Sequence, residues 1–158
     1  MIQHILVPLD GSETAEVVLP YVKSMAQGLK AKLTLVRVVD VGAIARSVAP
    51  AAPDAAGFTA ELQNIIDESV AAELADARAY LDAQSASLRG DGVTVETEVR
   101  EGSPSEQVLA AIEADGVDMA AIASHGRSGI TRTLFGSVAD ELIRNSGKPV
   151  MVIKAAKN

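Results

Sequence analysis

The chain has 158 residues, 48% of them hydrophobic and 22% charged, a globular balance with length enough to bury a core and form one domain, 1–158. No apolar run approaches the roughly 18 to 20 residues of a membrane-spanning helix. The absence of cysteine excludes a disulfide framework, a thiolate zinc site and a cysteine nucleophile. Net charge is −7, unevenly spread: residues 1–40 carry four acids and four bases, 41–120 fifteen and four, and 121–158 two and six. The acidic middle argues against nucleic acid along that surface, since binding it requires phosphate neutralisation. The opening "MIQHILVPLDGS" lacks a basic segment followed by a long apolar stretch, so no signal peptide is expected and the cytoplasm is the expected location.

In chain order, "HILVPLD" (4–10) reads as a buried strand ending in a turn. Residues 13–29 read as a helix starting near Gly11 or Ser12, with Pro20 bending it. "KLTLVRVVD" (32–40) is a second strand, rich in β-branched residues. The Ala- and Pro-rich run 41–57 reads as a loop or a short irregular helix. A long helix follows, with Leu62, Ile66, Val70, Leu74, Ala77 and Leu81 on one stripe. "GVTVETEV" (92–99) alternates strictly, as an edge strand with one exposed face does. "SPSEQVLAAIEA" (103–114) starts a helix with Ser103 as cap, Pro104 at the first position and Glu106 completing a capping box. A strand (117–124), a glycine-rich loop, a helix (136–145) and a last strand, Pro149 to Ile153, complete the chain.

Such alternation predicts a parallel sheet covered by helices on both faces. Ligands bind such sheets beyond the carboxyl ends of the strands, where strand order reverses. In an order 3-2-1-4-5 the turns "PLDGS" and "SHGRSG" flank that reversal. Gly126 and Gly129 allow close backbone approach to an anion, and Gly136-Ser137 opens a helix whose free N–H groups favour phosphate. Arg127 and Arg132 could supply positive charge to it, although a place in solvent suits them better. The same residues also suit ordinary turns with Ser137 as a helix cap, and spacing alone leaves both readings open. Asp10 can likewise be a helix cap. His125 has no carboxylate placed by sequence to orient it, which favours loop positioning over acid–base catalysis.

The segments "HILVPLDGSETAE" and "SHGRSGITRTLFGSVADELIRNSGKPVMVI", with the alternation between them, resemble the universal stress protein family. The resemblance covers essentially the whole chain. It implies a three-layer α/β sandwich, a five-stranded parallel sheet in order 3-2-1-4-5, and a homodimer, which we expect to form through the last strand. The family's ATP-binding branch carries G-x2-G-x9-G-[ST]. Here that pattern falls on Ala123, Gly126, Gly136 and Ser137, with alanine in place of the first glycine. The resemblance further implies that Pro8, Leu9 and Asp10 lie beside the nucleoside, that Asp10 is near the ribose or a phosphate-bound Mg²⁺, and that the Val38 backbone reads adenine. Ser124, His125 and Arg127 fall in the phosphate loop and Val138 in the helix start.

ATP binding by a regulatory stress-response module is therefore the expected function, with other adenine nucleotides as candidate ligands. The alternatives are a dimeric interaction module of the same family without nucleotide, and a slow ATPase. Against the last, the sequence shows no evident base, no loop lysine and no paired carboxylates.

Overall fold

Five consecutive buried residues make β1 (His4–Pro8) a strand covered on both faces, as the centre of a parallel sheet requires. The structure, a computed structural model, describes residues 1–48, 60–114, 116–124 and 136–155. Around β1 lie β2 (Lys32–Val39), β3 (Val95–Glu101), β4 (Met119–Ser124) and β5 (Val150–Lys154), in the expected order β3-β2-β1-β4-β5. Every neighbouring pair is parallel, with Leu6 beside Thr34 and Thr34 beside Glu96.

The alternation of side chains sorts the core into two halves. Ile5, Val7, Leu33 and Leu35 face one side, where they meet Val22 and Ala26 of α2 (Leu19–Leu29) and Leu81 and Leu88 of α4 (Ala60–Gly90). Leu6, Val36, Ala120 and Ile122 face the other, against Val108 and Ile112 of α5 (Pro104–Ala114) and Ala139 and Leu142 of α6 (Ser137–Asn145). Along the expected stripe of α4, Ile66, Ala77 and Leu81 are buried, while Leu62, Val70 and Leu74 are half-buried.

The expected single helix over 13–29 is instead two: α1 (Glu13–Glu16) and α2. Long i→i−3 bonds, Val17 to Thr14 at 3.4 Å and Val18 to Ala15 at 3.5 Å, end α1 in a tightened turn. Pro20 is the second residue of α2, where a missing N–H costs nothing, so it starts a helix rather than bending one. Of the run 41–57, Val41–Val48 forms α3; residues 49–57 lie outside the described residues. Pro104 does open α5, and the Ser103 carbonyl accepts from the Gln107 N–H at 3.0 Å. The edge strand runs three residues later than the alternation starts, at Val95.

At the amino ends of the central strands, Asp118 joins β1 to β4. Its Oδ2 accepts from the N–H groups of Gln3 (2.8 Å) and His4 (3.0 Å). These two bonds, Gln3 first, hold the Asp118 carboxyl below the ordinary carboxylate value. An unfolded Asp titrates near pH 4. The stabilisation from Asp118 is thus complete above that pH and is lost as pH falls through the lower folded value. Asp118→Ala is expected to melt below the parent at neutral pH, the gap narrowing as pH falls below about 4 and closing only below the lower folded value, followed by circular dichroism.

Candidate functional site

β1 ends at Pro8, and the Leu9 N–H still bonds the Val36 carbonyl at 2.8 Å, so the turn leaves the sheet at Asp10. Gly11 has φ +85°, a left-handed conformation that glycine adopts without a Cβ penalty. Ser12 is the N-cap of α1: its Oγ accepts from the Ala15 N–H at 3.1 Å. Asp10 does not cap the helix directly. Its Oδ1 accepts from the Ser12 N–H (2.9 Å) and from the Ser12 hydroxyl (2.6 Å), closing a side-chain turn that orients the cap.

A cleft of about 280 Å³ opens above these strand ends. Val36 and Val38 project from one face of β2 and, with Pro104, Val108 and Ile122, form an apolar wall. The other end is polar, lined by Asp10, Ser12, Thr14, Ser124 and Ser137. Gly136, the N-cap of α6, has φ −63° and ψ 161° and supplies no side-chain cap. A Cβ there would meet nothing within 4 Å among the described residues. The first turn of α6 therefore presents backbone N–H groups and the positive end of the helix dipole to the cleft.

The structure brings Pro8, Leu9, Asp10, Val38, Ala123, Ser124, Gly136, Ser137 and Val138 to this one cleft. His125, Gly126 and Arg127, with Gly129 and Arg132, lie outside the described residues. Ala123 also packs against the α2/α4 core, opposite in the strand alternation to Ile122 and Ser124. Sequence reasoning missed Val36, Pro104, Val108 and Ile122 on the apolar wall, Ser12, Thr14 and Ala15 at the start of α1, and Ala139 of α6. Val36 was findable, because it is two residues before Val38 and shares its face. Among the described residues no group of three His, Cys, Asp or Glu could hold a metal ion. His4 stands at the amino end of β1, buried, with Nε2 2.7 Å from Thr34 Oγ1.

The universal stress protein family model matches residues 1–154. The chain belongs to the universal stress protein family. Universal stress protein MJ0577 of Methanocaldococcus jannaschii is 30% identical over 155 residues, covering 98% of this chain and 96% of the relative. The solved structure of MJ0577 superposes with a TM-score of 0.81 at 27% identity, over 100% of this chain and 99% of that one. A universal stress protein in complex with cAMP shares the fold, with a TM-score of 0.67 at 18% identity over 98% of each chain. So does a family protein from Arabidopsis thaliana with AMP bound, with a TM-score of 0.62 at 14% identity, over 98% of this chain and 92% of that one.

In this family member the Ser12 hydroxyl serves both the helix cap and the Asp10 turn. Ser12→Ala should lower unfolding stability by about 1 kcal/mol, the usual cost of a lost N-cap, in urea denaturation.

Proposed function

We propose that the cleft binds ATP or another adenine nucleotide and that the nucleotide is a regulatory ligand of the protein. The observation that carries this reading is the pairing, at the strand reversal, of an apolar wall with a helix start whose N-cap, Gly136, has no side chain. A base needs the first and phosphates need the second. Adenine would lie against Pro8, Leu9 and Val38, and the phosphates against Ser124, Gly136, Ser137 and Val138. The family resemblance adds His125, Gly126 and Arg127 to the phosphate side and sets Ala123 at the first position of the phosphate motif. The adenine nucleotides named for two proteins of the same fold support the ligand class.

Mg²⁺ fits this reading as an ion brought by the nucleotide. One exposed carboxylate, Asp10, borders the cleft, and Mg²⁺ is commonly held by one or two carboxylates together with phosphates and water. Because nothing among the described residues stands within 4 Å of a Cβ at Gly136, a side chain there should obstruct the ligand more than the fold. Titration calorimetry of MgATP into nucleotide-free protein should show one site per chain at micromolar Kd, on the order of −8 kcal/mol. Gly136→Val should abolish that binding with little change in melting temperature; equal affinity in the variant would remove the phosphate position.

We also propose a homodimer formed through β5. This strand is a sheet edge, paired on one side with β4, and four of its five residues are half-buried. An edge of this kind pairs readily with a second copy across a two-fold axis. Sedimentation at micromolar concentration should give twice the mass of one chain, and a monomer there would exclude this interface.

A further inference from the structure

Arg37 follows Leu33 and Leu35 on the face of β2 that carries the α2/α4 core, and its side chain is only 17% exposed. Three of its guanidinium atoms, Cζ, Nη1 and Nη2, lie 3.3, 3.3 and 3.4 Å from the point where a Cβ on Gly11 would stand. Near-equal distances mean that the flat face of the guanidinium, not its edge, rests on the glycine. Gly11 is favoured by its positive φ, and a Cβ there would also press on the guanidinium, which would have to give by a few tenths of an ångström.

Helix α4 holds Arg37 in this pose. The Tyr80 ring centroid is 5.3 Å from Cζ, within cation–π range, and Glu73 Oε2 is 3.7 Å from Nη2. A second tie runs beside the first, where Gln84 Nε2 of α4 donates to Glu16 Oε1 of α1 at 3.1 Å. The Tyr80 hydroxyl is buried without a hydrogen-bond partner among the described residues, so its aromatic face, and not its polar tip, is what the packing uses. Burial foremost pushes the phenol far above its ordinary pKa, and the nearby Glu16 and Asp10 carboxylates add to this, with Glu16 standing outside good hydrogen-bonding geometry.

We propose that Arg37 is a positioning residue for the cleft: by resting on Gly11 while held by Tyr80 and Glu73, it fixes the Asp10–Ser12 turn in its binding shape and ties that turn to α4. This rests on the nucleotide reading of the cleft. Arg37 is not among the residues that line the cleft and acts through the turn. Its charge alone is not sufficient, because lysine keeps the charge but has no flat face to lay on a glycine.

The test separates the turn from the ligand. In ligand-free protein, amide exchange of Ser12 and Ala15, the two N–H groups bonded within the turn, should speed up about tenfold in Arg37→Gln, while Leu33 and Leu35 exchange as in the parent. MgATP affinity should fall about tenfold in the same variant, as for other groups that orient a binding residue without touching ligand. Arg37→Lys should restore neither. Tyr80→Leu should reproduce both losses, and Tyr80→Phe, which keeps the ring, neither; these two keep the test decisive if Arg37→Gln does not fold. Unchanged exchange and affinity in Arg37→Gln and Tyr80→Leu, or full rescue by lysine, would overturn the proposal. If the parent binds no nucleotide yet the exchange pattern appears, the ligand reading fails and the tie between Arg37 and the turn stands.

Discussion

Crossovers between parallel strands turn right-handed, and here that rule decides where the surface opens. From β1 the chain winds outward through β2 to β3, with α2 and α4 on one face. It then passes to the opposite side of β1 through β4 to β5, with α5 and α6 on the other face. The helices that follow β1 and β4 in the chain, α2 and α6, therefore lie on opposite faces. Among the described residues no element fills the space between the ends of β1 and β4, and the cleft lies there.

What the cleft can hold follows from which parts of the chain reach it. The sheet contributes apolar residues, because strands buried on both faces carry little else. Among the described residues polarity arrives where elements end: at the turn after β1, where Asp10 and Ser12 hold each other, at Ser124 closing β4, and at the start of α6, whose N-cap Gly136 has no side chain. The two chemistries of a nucleotide, a flat apolar base and an anionic tail, meet the same division. The turn is held from behind by charge and stacking, through Arg37 and α4, while its other side borders the cleft.

The sheet, its strand order and the family were legible in the sequence, because alternation of element type and two terminal motifs carry them. Individual contacts were legible only where periodicity or a glycine marked them. Val17 and Val18 fit a helical stripe, so nothing in their spacing announces the break between α1 and α2; long i→i−3 bonds to Thr14 and Ala15 mark it. Asp10 and Ser12 are both good caps, and the choice between them depends on one hydroxyl being able to accept and donate at once. Pro104 and Val108 reach the cleft from an element distant in sequence, a proximity that only the tertiary fold creates. Arg37 reads as an ordinary polar interruption in a strand until Gly11 and Tyr80 are seen on either part of it.

The chain contains no tryptophan and two tyrosines, Tyr21 and Tyr80. Tyr21 is exposed on α2, whereas Tyr80 sits beside the guanidinium that touches the turn. Ultraviolet emission from the unlabelled chain therefore comes from one solvent-facing phenol and one phenol in contact with the turn's support. The first is readily reached by an aqueous quencher and the second is shielded. The emission that survives quenching is an intrinsic optical gauge of that support, and it needs no engineered fluorophore.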